Sequence, residues 1–522
     1  MHTAKNMATL SKSEYMMYLK HPAWLWLKKH DKSKLPEIDE ATQAKFDAGY
    51  EFEKYVEQLF PNAIKLGFSN FNEYSSLPKR TQEALLNKTP TIFQGRFEAD
   101  NITCIVDILN KVANNTYDLI EVKSSTKVKD EHISDLAFQV VVLEASGLIV
   151  KNIFVAHVNN KYIRSGAIDP NELVNREDVT TRVLDLIDQT KINISKALEV
   201  IDRDTMPDPS PRFVNPEADS ETFNEWVGIY KKLLPANVDK YSIYELASLG
   251  PKLVAELEDL HISKISDIPD DLELNKRQAL QVEVTKNNRP TIDKNSITDF
   301  LHSIQFPLYF LDYETVSGPV PFYNGTRPYQ QVPFQYSLHI LNSPTEKVEH
   351  KEYLHVDSNN PIEPLLCQLK NDIGKHGTIL TWHMSFEKGR NTEMGKAFPL
   401  YEGFMDDINM RIVDLKEPFS KGWYFDKDFL GSASIKNVLP VLSDRSYKSL
   451  SIQNGSMAQI QWMNAFLKGK ETNKDQLIID LKKYCHEDTY AMYEIYNFLR
   501  QLCKENVQFE GAKESVTQRL TR

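Results

Sequence analysis

The spacing of hydrophobic positions along this chain changes several times, and each change marks an element. Residues 9–60 carry aromatic and aliphatic side chains at helical spacing. "SKSEYMMYLKHPAWLWLKKH" opens on a serine N-cap, and "IDEATQAKFDAGYEFEKYVEQLF" follows as a second amphipathic helix. Between 92 and 123 the period falls to two. "ITCIVDIL" and "TYDLIEVK" are short β-rich runs, and "NKVANN" between them predicts a hairpin. Residues 131–146 return to helix, and "LIVKNIFVAHV" reads as strand. Together these make one α/β unit of about 200 residues.

The stretch "RDTMPDPSPRFVNPEA", residues 203–218, is rich in proline and acid and marks a domain boundary. Residues 220–300 read as helical and polar. Within them "YELASLGPKLVAELEDLHISKISDIP" predicts two short helices around a glycine, either a helix–hairpin–helix element that grips a nucleic-acid backbone or a plain spacer. A second α/β unit starts at 306. "PLYFLDYET", "FQYSLHILN" and "GTILTW" read as strands, 384–396 as a helix, and 476–502 as a long final helix. The division is 1–203, a helical linker at 204–300, a second domain at 301–508, and a polar tail at 509–522. No internal repeat or low-complexity tract interrupts it.

Composition narrows the class. A chain of 522 residues exceeds one compact core, and 26% charged with 41% apolar residues is ordinary for globular protein. No apolar run is long enough for a membrane helix and the start lacks a signal-peptide core, so a cytoplasmic protein without a membrane partner is expected. The four cysteines, Cys104, Cys367, Cys485 and Cys503, are scattered, which argues against disulfides, a cysteine zinc site and an iron–sulfur cluster. A net charge of −11 argues against polyanion binding by bulk charge. It leaves room for a nucleic-acid enzyme that gathers acids around metal ions.

The strand "YFLDYETVSG" raises that reading. Side chains alternate along a strand, so Asp312 and Glu314 share a face. Two buried carboxylates repel, and a divalent cation with a preference for oxygen removes the cost. The plainer reading places both acids at the exposed end of the strand. Two further acids extend the set. "HMSFEKGRN" puts Glu387 just inside a helix after the strand "TILTW", and "YCHED" puts Tyr484 one helical turn before Asp488.

Asp-x-Glu, an acid after a middle strand and Tyr-x-x-x-Asp on a late helix, in that order, resemble the DnaQ-like 3′–5′ exonucleases of the ribonuclease-H-like fold, in their tyrosine-bearing DEDD branch. The histidine branch would need His where Lys483 stands, and His486 lies at the wrong spacing. The resemblance implies Asp312, Glu314, Glu387 and Asp488 as ligands of two Mg²⁺ or Mn²⁺ ions about 3.5–4 Å apart. It implies Tyr484 as the group that orients the attacking water, its free pKa near 10 being too high for a strong base. The middle motif departs from the usual Asn-x-x-Phe-Asp, since His383 and Glu387 occupy the Asn and Asp positions. Asp414 in "RIVDL" is a reserve ligand. "GSASIKNVLP" follows as a loop and helix start in which Ser432, Ser434 and Lys436 either meet a phosphate or cap the helix.

The first unit carries a weaker signal. Asp107 in "CIVDIL" and Glu121 with Lys123 in "LIEVKSS" resemble the PD-(D/E)XK nuclease core, where Asp and Glu hold a metal and Lys positions the water. An ordinary Glu121–Lys123 salt bridge is the alternative. Glu53 and Gln139 stand where RecB-like members carry a helical ligand and a substrate-side Gln, while Leu143 replaces their usual Tyr. The opening resembles CRISPR-associated RecB-like exonucleases, with His21 in place of their cysteine and no C-terminal cysteine trio. A RecB-like domain, a helical linker and a DnaQ-like domain in this order resemble a bacterial family joining both. The resemblance implies a nuclease with single-stranded DNA favoured and RNA open. Tyr313, Trp382 and Phe386 are aromatics that would stack on bases or pack in the core. A binding scaffold with one or both sites inactive is the reading from another class. Roles in foreign-DNA defence, repair or CRISPR adaptation follow from analogy alone.

Overall fold

In a computed structural model the described residues are 9–235, 238–470 and 473–504. The polar tail expected from residue 509 lies outside them. The chain is a mixed α/β protein of two compact units. One comprises Met1–Ala236, Gly250–Ala255 and Gly318–Tyr329, the other Asn237–Leu249, Glu256–Ser317 and Gln330–Arg522. The helical block expected over 204–300 is thus divided between them. Around Gly250, where two short helices are expected, there is one helix, Pro251–Asp259, flanked by the 3₁₀ turns Ile243–Glu245 and Ile265–Asp267.

The first unit is built on a seven-stranded mixed sheet. Its strands run in the order Ala63–Lys65, Thr91–Ala99, Ile102–Ala113, Thr116–Lys123, Ile149–Val158 and Val174–Asp178, with Leu10–Ser11 parallel to the start of Ile102–Ala113. The expected hairpin is present with a tighter turn. Its strands continue to Ala113 and restart at Thr116, and Asn115 takes φ 54°, a left-handed conformation that asparagine tolerates better than most residues. The opening helical run is broken at His21, which ends Lys12–Lys20 and starts Pro22–His30. Its Nδ1 accepts the Ala23 N–H at 3.0 Å, and Pro22 at the first helical position has no N–H to satisfy.

The helix Asp130–Ala145 is buried on almost every side. Each residue from Asp135 to Leu143 is buried, and Tyr15 stacks on Phe138 with ring centroids 4.8 Å apart. A helix buried all round can afford apolar residues on all its faces, so "ISDLAFQVVVL" shows little amphipathic contrast. On the opposite side of the core, Phe52 and Val56 of the helix Glu40–Glu57 pack with Phe93, Ile108 and Ile120. The polar side chains that point inward between these layers must find partners there.

The second unit contains a five-stranded sheet in the order Glu349–Leu354, Val332–Leu341, Leu308–Val316, Thr378–Thr381 and Ile412–Asp414. The first three pair antiparallel, and the last two run parallel to the central strand Leu308–Val316. The terminal helix Lys474–Lys504 is 31 residues long and buries Leu481, Cys485, Met492, Ile495 and Leu499. Phe310 of the central strand meets Tyr493 and Tyr496 of that helix at 5.9 and 5.8 Å. Because Phe310, Asp312 and Glu314 alternate with Leu311 and Tyr313, the face holding Phe310 against the helix also turns both acids toward it. No described helix is long and apolar enough to cross a membrane.

Candidate active sites

In the second unit a cavity of about 370 Å³ gathers the acids from separate elements. Asp312 and Glu314 reach it from the central strand, Glu387 from the first turn of the helix Met384–Ala397, and Tyr484 with Asp488 from the terminal helix. Glu314, Glu387 and Asp488 are 6%, 2% and 8% exposed, so these acids are inside the protein and not at an exposed strand end. Lys436 lines the same space, its ammonium 5.3 Å from the Tyr447 ring, 5.5 Å from the Tyr484 ring, and 2.7 Å from the Gln453 carbonyl oxygen it donates to.

Four carboxylates with a single neighbouring ammonium are badly compensated. Burial above all, then Asp488, Glu314 and Glu387, push Asp312 well above the usual carboxylate range. Burial and Asp488 do the same to Glu314. Glu387 is pushed up to about 8, chiefly by burial, and its Oε2 is buried without a hydrogen-bond partner. Asp488 is raised to about 6 by burial. Hydrogen bonds from Tyr447 and Tyr484 and the charge of Lys436 work the other way. The Tyr484 hydroxyl is driven far above its ordinary value by burial and by Asp488, Glu314 and Asp312, so it stays protonated. All the donors are oxygens, the set that Mg²⁺ and Mn²⁺ take. The orphaned Glu387 Oε2 is an acceptor that such a cation would satisfy.

Other expected residues fall elsewhere. Asp414 does not line the cavity. Its Oδ2 accepts the Met384 N–H at 3.3 Å and its Oδ1 the Lys416 N–H at 3.0 Å, so it ties the strand end to the next helix. Ser432 is also outside, its hydroxyl accepting the Ser434 N–H at 3.1 Å. Tyr313 contributes to the cavity lining, but its ring is buried and its hydroxyl donates to Asn391 Oδ1 at 2.9 Å. Trp382 and Phe386 do line the cavity, with Trp382 Nε1 donating to the Ala433 carbonyl at 3.2 Å. Two partners of the acids were not expected. Tyr447 donates to Asp488 Oδ1 at 2.7 Å. A Cβ on Gly455, at the start of the helix Gly455–Trp462, would lie 3.3 Å from Glu314 Oε2, so the backbone passes close to that carboxylate.

In the first unit the hairpin brings its candidates together. Asp107 Oδ2 accepts the Val122 N–H at 2.8 Å, across the hairpin from its own strand. Lys123 Nζ lies 2.7 Å from Glu121 Oε1, the simple salt bridge that the sequence left open. Gln139 donates to Glu121 Oε2 at 2.8 Å, and its own Oε1 is buried and unpartnered. Glu53 joins through Gln94, whose amide donates to Glu53 Oε1 at 2.9 Å and to Asp107 Oδ1 at 3.3 Å. Gln94 holds this place from a left-handed backbone, φ 56°, where the pairing of Thr91–Ala99 with its neighbour skips a residue.

Two residues outside the expected set change the electrostatics. Lys12 contacts Glu121 Oε1 at 2.9 Å and Asp135 Oδ1 at 3.3 Å, while Lys123 contacts Asp135 Oδ2 at 2.8 Å. Two half-buried lysine ammoniums therefore face two buried carboxylates. Burial alone would raise Glu121, but Lys12 and Lys123 outweigh it and hold the carboxyl well below its usual range. Burial would lower both lysines, but Asp135 and Glu121 hold them charged. Asp107 feels the same two lysines, yet burial first and then Glu121 outweigh them and raise it to about 7. Lys12 was legible only as part of an amphipathic helix, and Asp135 only as a polar residue four before Gln139.

Comparison with known proteins adds relatives without an assigned activity. Residues 309–434, the stretch from the central strand to the loop before Lys436, match a family described as a domain of unknown function, DUF2779. The chain is 27% identical over 228 residues to the uncharacterized protein MG366 of Mycoplasma genitalium, covering 40% of this chain and 34% of that one. It is 27% identical over 214 residues to the MG366 homolog of Mycoplasma pneumoniae, covering 37% and 32%. With the uncharacterized protein UU173 of Ureaplasma parvum serovar 3 it shares 23% identity over 243 residues, covering 42% and 35%. The aligned part thus spans about a third of the length of each of these relatives.

Proposed function

We propose that this chain is a metal-dependent nuclease that hydrolyses phosphodiester bonds, with single-stranded DNA as its favoured substrate. The second unit is read as a ribonuclease-H-like, DnaQ-type 3′–5′ exonuclease and the first as a RecB-like PD-(D/E)XK domain. The observation that carries this reading is the cavity of the second unit, where Asp312, Glu314, Glu387 and Asp488 meet and, among the described residues, Lys436 is the one cation lining it, with Arg390 acting on Glu387 from outside. A structural cluster would be paired, as buried charges are. This one is poised for cations.

Asp312, Glu314, Glu387 and Asp488 would hold Mg²⁺ or Mn²⁺. Bound ions supply charge neutralisation at the phosphate and lower the pKa of a bound water. The chain's own residues do the rest. Tyr484, kept protonated by the carboxylates around it, donates a hydrogen bond and accepts one, and so orients a water without removing its proton. Tyr447 fixes Asp488 in one rotamer by its 2.7 Å bond. Lys436 offers a positive charge to a phosphate at the cavity wall. Trp382 and Phe386 offer apolar surface for a terminal base, and the close passage of Gly455 narrows the space beside Glu314.

A second reading is favoured for the first unit alone. Lys12 and Lys123 already neutralise Glu121 and Asp135, so this cluster is balanced with no cation present. That supports a binding scaffold there, with Asp107, Glu53 and the open Oε1 of Gln139 as the groups left for a metal. The test incubates end-labelled single-stranded DNA and RNA with the full chain in Mg²⁺ or Mn²⁺. Wild type, Asp312→Ala with Glu314→Ala, and Lys123→Ala run in parallel. A 3′ ladder lost only with the Asp312/Glu314 pair assigns the exonuclease to the second unit. Cleavage lost only with Lys123→Ala makes the first unit the enzyme. No cleavage of either polymer overturns the proposal.

A further inference from the structure

The second unit holds a cluster of ligating side chains that the acidic cavity does not use. His339 from the strand Val332–Leu341, His350 from Glu349–Leu354 and His486 from the terminal helix converge, with one ring nitrogen of each within 4.8 Å of one from the other two. His339 and His350 are direct cross-strand partners. Ring centroids are separated by 4.5 Å for His339 and His350, 4.7 Å for His339 and His486, and 4.5 Å for His350 and His486. His339 is buried and the other two are half-buried.

One proton placement satisfies every hydrogen bond around the rings. In it the Thr489 hydroxyl donates to the His486 carbonyl at 3.2 Å and its Oγ1 accepts from Ser337 Oγ at 2.7 Å and from His339 Nδ1 at 2.8 Å. Ser337 then accepts from His350 Nε2 at 2.9 Å. This placement puts the ring protons on His339 Nδ1 and His350 Nε2 and leaves lone pairs on His339 Nε2 and His350 Nδ1. Among the described residues no donor meets either lone pair or a ring nitrogen of His486. A hydroxyl that fixes one nitrogen of an imidazole and frees the other is how a ligating histidine is held ready.

We infer that His339, His350 and His486 form a binding site for a zinc-class divalent cation, with a fourth coordination position left to solvent. Three imidazoles and an open position suit Zn²⁺ and its first-row neighbours, whereas Mg²⁺ and Mn²⁺ prefer the oxygen-only cavity. Ligation joins the edge strand and its neighbour to the terminal helix two residues before Asp488. The ion thus positions the helix that carries Asp488 and Tyr484. The inference stands on the imidazole geometry and does not depend on phosphodiester hydrolysis.

Co²⁺ tests it, because tetrahedral nitrogen-ligated Co²⁺ absorbs visible light strongly and octahedral carboxylate-bound Co²⁺ weakly. The chelator-stripped full chain is titrated with Co²⁺, then competed with Zn²⁺, with folding followed by circular dichroism. Wild type and the Asp312→Asn, Glu314→Gln double variant are expected to show one tetrahedral equivalent. His350→Gln and His486→Gln should weaken Zn²⁺ binding more than about 100-fold, and Ser337→Ala roughly 10–100-fold, as loss of a ligand's hydrogen-bond partner does. The absence of a tetrahedral band from wild type overturns the inference, whatever the variants do. A band that survives in both folded histidine variants, or that vanishes with the carboxylates, overturns it too. Cleavage is not read, so failure here leaves the nuclease proposal standing, and failure of that proposal leaves this test intact.

Discussion

The Tyr447 hydroxyl donates to Asp488 Oδ1 at 2.7 Å, joining the 3₁₀ turn Tyr447–Ser449 to the terminal helix. Burial pushes Asp488 up to about 6, and this bond holds it down. Tyr447→Phe removes the bond, so the carboxyl should rise further. The acid limb of the pH–activity profile should move to higher pH, with a stability loss of about 1 kcal/mol. An unmoved acid limb would show that Asp488 does not govern it.

Neutralising Asp312 and Glu314 should have opposite effects on activity and stability. Asp312→Asn with Glu314→Gln keeps shape and removes two buried like charges, which should stabilise the metal-free chain by about 1–3 kcal/mol. Metal-dependent cleavage should fall on the order of 10³-fold, equivalent to about 4 kcal/mol of lost transition-state stabilisation. Denaturant unfolding in chelator and single-turnover cleavage measure the two. A double variant less stable than wild type in chelator would mean that the carboxylates are not in conflict.

The metal-free chain should lose stability as pH rises. Glu387 at about 8 and Asp488 at about 6 retain protons in the folded state where the unfolded chain, at about 4, has released them. The folded state therefore binds more protons between about pH 4 and 8, and stability falls across that window. Mn²⁺ needs the ionised carboxylates, so the melting temperature it adds should be greater at pH 8 than at pH 5.5. Thermal scans at the two pH values, with chelator or Mn²⁺, decide this. An equal shift at both would place the metal away from these acids.

In the first unit, Lys12→Met should leave the buried Glu121 and Asp135 with one half-buried ammonium between them. Removing one partner of a buried ion cluster costs about 3–5 kcal/mol. Divalent cation should recover part of that loss, because the carboxylates then lack a counter-charge. Urea unfolding of Lys12→Met with and without Mg²⁺ tests both effects. A variant as stable as wild type would rule out the Lys12 pairing with Glu121 and Asp135.

Much of this arrangement is legible in one dimension. Period-two alternation alone puts Asp312 and Glu314 on one face, and a four-residue step alone puts Tyr484 over Asp488. The hairpin that joins Asp107 to Glu121 needs only its two β runs and its asparagine turn. These are local rules, set by backbone geometry within a few residues. They placed the acids on their elements but left Asp414 as a reserve ligand and Ser432 open between phosphate contact and helix cap, since one-residue differences in strand ends and caps are not local properties of the pattern.

What the tertiary structure alone decided are the partners that arrive from far along the chain. Tyr447 reaches Asp488 across 41 residues, Lys12 reaches Glu121 across 109, and His339 meets Thr489 across 150. No periodicity encodes such meetings, because they depend on which faces the sheets and helices bury against each other. They also set the electrostatic outcome. Sequence determined that acids would be gathered in both units. Only packing decided that the first cluster would face two lysines and that the second would keep a buried carboxylate oxygen, Glu387 Oε2, without a hydrogen-bond partner.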